Sequence, residues 1–123
     1  MKRHEAREKL IISVYQYLLL GGSLDELVHK NFDEEIIDPY TETIKEMILE
    51  KKNEYIDRIT PHLKNWTFDR LGYLDQAILL VAIAELDLKE NDKAVIIDEA
   101  VSIAKTYCDE KSYSYINGVL DKI

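Results

Sequence analysis

The first residues of the chain carry positive charges that could contact phosphate groups. Four cations and two carboxylates lie within the first nine residues, and residues 10–20 carry no charge. Arg3 and Arg7 are four residues apart, so on a helix they would point the same way. Guanidinium groups placed in this way can bind the phosphates of a nucleic acid. The ordinary alternative is a helix start that is basic and simply solvated.

The sequence contains no combination of residues typical of an enzyme. The three histidines, His4, His29 and His62, are scattered, and no two have a spacing that would place them on one face to bind a metal. No nucleophile has a recognisable base, and no glycine-rich loop could hold a phosphate. The single cysteine, Cys108, excludes an internal disulfide, and we expect it to be buried or half-buried. We therefore predict a binding protein that uses no metal and no cofactor.

The composition indicates one globular domain with an acidic charge balance. The chain has 123 residues, of which 46% are hydrophobic and 33% charged, and it is long enough for one core. No apolar run approaches the roughly 20 residues that cross a bilayer, and the basic start lacks the apolar segment of a signal peptide. We expect a cytoplasmic protein. The net charge of −8 argues against non-specific coating of nucleic acid and favours a basic protein partner.

Apolar residues spaced three and four apart predict helices along the whole chain. The clearest three cover residues 74–86, 94–105 and 115–123. A helix over residues 2–20 has Tyr15 at the margin of its buried face and ends at Gly21 and Gly22. Ser23 and Glu26 form a capping box for a short helix that follows.

The middle of the chain predicts a long helix, or two in sequence, over residues 40–63. We expect a break near Asn53 and an end or kink at Pro61, which lacks a backbone donor. The whole pattern predicts an all-α domain of about seven helices in two small bundles, with N-terminal helices in residues 1–64 and C-terminal helices in residues 65–123. We expect Trp66 to fill the joint between the halves, and Gly118 to allow a close contact between helices.

Four motifs in the second half of the chain occur in a fixed order. They are Trp66-x-x-Asp69-Arg70-Leu71, Asp75-Gln76-Ala77-Ile78-Leu79, Asp98-Glu99-Ala100-Val101 with Ala104-Lys105, and Ser112-x-x-Tyr115-Ile116-Asn117-Gly118-Val119-Leu120-Asp121. Together they resemble the signature of the NusB family of bacterial transcription antitermination factors. Leu80 and Ala84 stand where relatives commonly have arginine and tyrosine, which indicates a divergent member.

The resemblance implies a function. In antitermination, the protein pairs with NusE, a small-subunit ribosomal protein. The pair binds the single-stranded boxA element of nascent ribosomal RNA within an RNA polymerase antitermination complex. Some family members form homodimers, which the resemblance therefore allows here.

The resemblance also implies site residues. RNA contacts fall on Arg3, Arg7, Tyr15 and Tyr115, which we expect to converge on one face, and partner contacts fall on Tyr15, Asp69 and Asp75. Lys2 and Lys111 are basic neighbours that add phosphate contacts. Because His4 and Glu5 stand where relatives often carry basic residues, we expect the free protein to bind RNA weakly and to need its partner.

Two alternatives remain open. A NusB-like domain also precedes the catalytic part of a ribosomal RNA cytosine methyltransferase, so the chain could be an accessory domain of an RNA-modifying system. Met1 and the complete helical pattern argue against such a fragment. The acidic charge and the thinned basic segment also fit a protein-binding module with little RNA binding of its own.

Overall fold

The computed structural model describes residues 1–33, 36–64 and 66–123, and within these ranges the protein is helical. The six α-helices are α1 (Arg3–Leu20), α2 (Leu24–Phe32), α3 (Pro39–Ile59), α4 (Tyr73–Leu88), α5 (Lys93–Tyr107) and α6 (Glu110–Lys122). Two short 3-10 helices, Thr60–His62 and Phe68–Arg70, lie in the connection between α3 and α4. No strand occurs in the described ranges, so the all-α prediction is confirmed. None of these helices is long and apolar enough to cross a membrane.

Helix α3 explains why the sequence predicts about seven helices while the described residues form six α-helices. Its backbone leaves the helical conformation at Lys51, where φ is −118° and ψ is 15°, so α3 consists of two segments joined at a kink. The break lies two residues before the predicted position at Asn53. Tyr40 and Arg58, near opposite ends of α3, contact Glu85 and Asp87 of α4. In a straight helix they would lie about 27 Å apart, so the kink lets both ends of α3 reach the same end of α4.

The core is built around α4. Every side chain from Gln76 to Glu85 is buried, and α1, α3, α5 and α6 pack around this helix. A helix that is apolar on all sides is stable only inside such a bundle. Buried residues from before and after residue 64 belong to one continuous hydrophobic cluster. The two predicted sets of helices therefore share a core, and the division at residue 64 stays an interpretation.

The side-chain contacts of α4 define its neighbours at each end. Arg7, near the start of α1, pairs with Glu85 near the end of α4, and Leu10 and Val81, one turn later on α1 and one turn earlier on α4, line the same small cavity, so α1 and α4 run antiparallel. Asp75, near the start of α4, bonds to Ser112 and Tyr115 near the start of α6. The N-terminal segment and the start of α6 therefore lie at opposite ends of α4.

The structure corrects two expectations about packing. Trp66 does not fill the joint between the halves, since 58% of its surface is exposed. Leu63 and Phe68 are the side chains of this connection that enter the core. The expected close helix contact at Gly118 is also wrong, because a Cβ built there would meet no atom of a neighbouring element within 4 Å.

Asp38 provides a test of how the sequence starts α3. Its carboxylate accepts hydrogen bonds from the Thr41 backbone N–H at 2.9 Å and from the Thr41 hydroxyl at 2.8 Å. Partial burial would raise the pKa of Asp38, but the bonds from Thr41 outweigh it and lower the pKa below the ordinary 3.8. We predict that Asp38→Ala lowers the free energy of unfolding by about 1 kcal/mol at pH 7, while Asp38→Asn retains most of the cap.

The contribution of Asp38 depends on pH in a defined direction. Because its folded pKa lies below its unfolded pKa, the stabilisation is present above about pH 4 and is lost as the pH falls through the folded pKa. Urea unfolding measures the free energy of unfolding of the wild type and of Asp38→Ala at pH 7 and near pH 3. The difference between the two proteins should be smaller at the lower pH. An equal difference at both pH values would contradict this role.

Candidate RNA-binding and partner-binding sites

The N-terminal site begins with a buried ion pair. Arg7 is only 7% exposed, and it donates from Nε to Glu85 Oε2 at 2.7 Å and from Nη2 to Glu85 Oε1 at 2.6 Å. The Tyr40 hydroxyl donates to Glu85 Oε1 at 2.7 Å and accepts from Asn91 Nδ2 at 3.0 Å. Burial alone would lower the pKa of Arg7, but the bonds and charge of Glu85 raise it above its ordinary value. Burial and Glu85 also raise the pKa of Tyr40, to about 12.

This network changes the interpretation of the two N-terminal arginines. The Arg7 guanidinium is buried and paired with Glu85, so the arrangement does not support its predicted contact with RNA. Arg3 is exposed, and its guanidinium lies 3.8 Å from the centre of the Tyr40 ring. Lys2, the N-cap residue of α1, is also exposed. The most exposed positive charges of this segment are therefore at Lys2 and Arg3, since Lys9 is half-buried with its ammonium 5.9 Å from the centre of the Phe32 ring, and Arg7 holds the segment in place.

A groove lies at the other end of α4, between the α3–α4 connection and α6. Its volume is about 740 Å³. The charged side chains that line it are four cations and two carboxylates: Lys64, Arg70, Lys111, Lys122, Asp75 and Asp109. Trp66 and Tyr115 add aromatic surface. In a chain with a net charge of −8, this groove is a local excess of positive charge.

Three predicted site residues meet in this groove. The Tyr115 hydroxyl donates to Asp75 Oδ2 at 2.6 Å, and the Ser112 hydroxyl donates to the same oxygen at 3.0 Å. Burial, together with the hydrogen bond and charge of Asp75, raises the pKa of Tyr115 well above its ordinary value, so the hydroxyl stays protonated and Tyr115 is fixed. Lys111 is exposed one residue before Ser112.

The two remaining predicted positions lie outside the groove lining. Tyr15 is half-buried against the core, and it lies eight residues, or about 12 Å, beyond Arg7 along α1. Because α1 and α4 are antiparallel, the direction from Arg7 to Tyr15 along α1 runs toward the Asp75 end of α4. Asp69 is exposed in the 3-10 helix Phe68–Arg70.

The predicted RNA residues lie at different levels along α4, and their convergence on one face stays a prediction. Glu85, which holds Arg7, and Asp75, which holds Tyr115, are ten residues apart on α4, or about 15 Å along its axis. Arg3 and Tyr115 therefore lie at opposite ends of the buried helix, with Tyr15 between these levels. Only an extended ligand could contact both ends.

The family of the chain follows from comparison with known proteins. The family model for NusB matches residues 4–123. The chain belongs to the NusB family. It is 40% identical over 124 residues to the transcription antitermination protein NusB of Listeria welshimeri, covering 100% of this chain and 96% of that protein. The predicted resemblance is confirmed.

Solved structures of NusB proteins share the fold. T. maritima NusB superimposes with a TM-score of 0.88 at 28% identity, covering 99% of this chain and 89% of that chain. A chain in the crystal structure of antitermination factors NusB and NusE in complex with dsRNA has a TM-score of 0.85 at 28% identity, with coverages of 99% and 96%.

Several groove residues were not predicted from the sequence as functional. The sequence patterns assign no binding role to Lys64, Arg70 or Lys122, and they predict a packing role for Trp66. A signal for Lys122 exists, because positions 111, 115, 118 and 122 follow the three-four spacing that places them on one helix face. Among the described residues, no group of three or more histidine, cysteine or acidic side chains could hold a metal ion. Cys108 is half-buried, as expected, and burial and Asp75 raise its pKa to about 12.

The Arg7–Glu85 pair predicts a large difference between the two N-terminal arginines. Arg7→Ala should lower the free energy of unfolding by about 3–5 kcal/mol, because it leaves the Glu85 carboxylate buried without its counterion. Arg3→Ala should lower the free energy of unfolding by no more than about 1 kcal/mol, because it removes only one exposed cation–π contact. Replacing both partners, as Arg7→Met with Glu85→Leu, should recover part of the loss. Urea unfolding measures all three variants, and an Arg7→Ala variant as stable as Arg3→Ala would contradict the assignment.

Proposed function

We propose that this protein is a transcription antitermination factor that binds the boxA RNA of nascent ribosomal RNA together with NusE. The observation that carries the proposal is the groove, where Tyr115 and Lys111 lie together with three further cations. A second support is the full-length similarity to a protein named for transcription antitermination and to a chain of a complex of NusB and NusE with dsRNA.

RNA binding by this protein uses two separate groups of cations. Lys2 and Arg3 form one group at the start of α1, and Lys111 with its neighbours in the groove forms the other. Phosphate contacts supply affinity in proportion to the counterions they release. Aromatic faces such as that of Tyr115 supply contacts to unpaired bases. Arg7 contributes by holding the first group rather than by contacting phosphate.

The partner compensates for the acidic charge of the chain. Asp69 is exposed and Asp75 half-buried at the groove end of α4, where both can face a basic protein, and Tyr15 lies on the neighbouring helix. A basic partner at this end would extend the positive surface along which RNA lies. Such charge complementarity raises the rate and specificity of association more than its affinity.

The protein acts by binding and not by catalysis. In this role it joins the RNA polymerase antitermination complex in the cytoplasm, where the RNA is made. A homodimer would form when NusE is absent, because NusE is the partner in the active pair.

Titration of labelled single-stranded boxA RNA tests the proposal. We expect the protein with NusE to bind this RNA more tightly than either protein alone, and to prefer it over an RNA of equal length with scrambled sequence. Lys111→Ala should reduce the dependence of log K on log salt by about 0.7, the contribution of one phosphate contact to a single strand. Lys30→Ala removes one exposed charge outside both cation groups and serves as the matched control.

Each outcome of this titration has a defined meaning. If the pair binds boxA no better than the scrambled RNA, the antitermination role is contradicted. If NusE binds the protein, but RNA binds neither the protein alone nor the pair, the result favours the alternative. The protein would then be a protein-binding module or an accessory domain of an RNA-modifying system. That alternative has one structural observation in its favour, the use of Arg7 inside the protein.

Asp69 gives a cleaner test of the partner surface than Asp75, which also holds Tyr115 and Ser112. We predict that Asp69→Lys weakens NusE affinity by roughly two- to tenfold at low salt, and less as salt rises, because an exposed ionic contact is weak and screened. The stability of the isolated protein should not change. Asp33→Lys, at an exposed position after α2, is the control, and equal NusE binding by the two variants would remove Asp69 from the interface.

A further inference from the structure

We propose that the groove binds an unpaired stretch of RNA and that the indole of Trp66 stacks on one of its bases. This inference rests on the proposed function and adds a base-reading residue and a set of phosphate contacts to it. The groove residues concerned are Trp66, Lys64 and Arg70 on the connection, and Lys122 on α6.

The exposure of Trp66 is the first observation. A tryptophan buries a large apolar area when the fold has room for it, yet this one leaves 58% of its surface in solvent while Leu63 and Phe68 beside it enter the core. The side chain faces a groove and not open solvent alone. Its accessible ring surface is therefore available to a flat ligand.

The charge of the groove defines that ligand. Lys64 and Arg70 line one wall and Lys111 and Lys122 the other, against two carboxylates. Lys111 and Lys122 are eleven residues apart on α6, or about 16 Å along the helix. Cations spread over such a length, with aromatic surface between them, match a chain of phosphates with accessible bases. In a duplex the bases are stacked on one another, so only an unpaired segment can offer a base face to Trp66.

Gly118 is an independent observation on the α6 wall of the groove. It lies inside α6, where glycine destabilises a helix by roughly 0.5–1 kcal/mol relative to alanine, yet no atom of a neighbouring element lies within 4 Å of the position of its missing Cβ. Internal packing therefore gives no reason for glycine here. Gly118 lines the groove, and a side chain at this position would occupy the space that the RNA requires.

Trp66 is the only tryptophan of the chain, so its fluorescence reports on the groove directly. With the protein alone at low salt, unstructured single-stranded RNA should quench the Trp66 emission in a saturable manner. A duplex of the same length and composition should quench it far less. A response to NusE alone, with none to RNA, would assign the groove to the protein partner and overturn the proposal.

Variants then measure the contribution to affinity in the complex with NusE. Trp66→Ala should weaken single-stranded RNA binding about 5- to 150-fold, the range measured for one base stacked on an aromatic ring, without changing the salt dependence. Trp66→Phe should recover most of this loss. Arg70→Ala should lower the salt dependence by about 0.7. Tyr73→Ala, an exposed aromatic that does not line the groove, should bind within twofold of the wild type.

Gly118→Leu tests the same groove without removing any contact. The longer side chain should project from α6 into the groove and weaken RNA binding at least as much as Trp66→Ala does, while the helix content and the unfolding midpoint are retained or raised. If RNA binds the pair but neither Trp66→Ala nor Gly118→Leu alters its affinity, the inference is wrong and the proposed function stands. If no RNA binds the protein or the pair, both are wrong.

Discussion

The burial of α4 on all sides is the constraint on which the rest of the structure depends. Its apolar residues require other helices around them, and its last buried turn carries Glu85, a carboxylate that is 2% exposed. An isolated charge in such a place would be far too costly, so it needs a counterion and hydrogen bonds. Arg7 and Tyr40 supply them. The same contacts fix the start of α1 and, with it, the position of Lys2 and Arg3.

The opposite end of α4 is organised by a second carboxylate with a different environment. Asp75 is half-buried and accepts hydrogen bonds from Ser112 and Tyr115, which joins the start of α4 to the start of α6. One wall of the groove is α6 itself, so this contact sets the width and orientation of the groove. The rigid helix between Asp75 and Glu85 then fixes the distance between the two groups of cations.

The sequence predicted the elements well because helical periodicity is a local property. The stripes of α1, α4, α5 and α6, the turn at Gly21 and Gly22, and the Ser23 cap all depend on residues a few positions apart. The roles of Arg3 and Arg7 could not be separated in this way. They have the same residue type and lie on the same helix face, and the partner that buries Arg7 is 78 residues away in the chain.

Trp66 and Gly118 show the same limit for packing. A large apolar residue at a chain junction predicts burial, and a helical glycine predicts close approach, but both arguments assume that space remains to be filled. Beside Trp66, Leu63 and Phe68 enter the core instead, and no neighbouring element approaches Gly118. What identifies the groove is the three-dimensional proximity of the α3–α4 connection to α6, and this proximity has no local signature.

Several cations of this acidic chain are used within the protein, so its positive surface depends on where the other cations lie close together. Lys45 is buried against Asp25 and Glu42, Arg58 pairs with Asp87 and Arg7 with Glu85, so these three charges satisfy carboxylates of the protein. At physiological salt the Debye length is about 8 Å, roughly half of the distance of about 15 Å between Asp75 and Glu85 along α4. A phosphate at either end therefore responds to the cations beside it more than to the net charge of −8. Because each end is screened from the other, neither group of cations can substitute for the other, and a ligand gains from both only by extending along the full length of the buried helix.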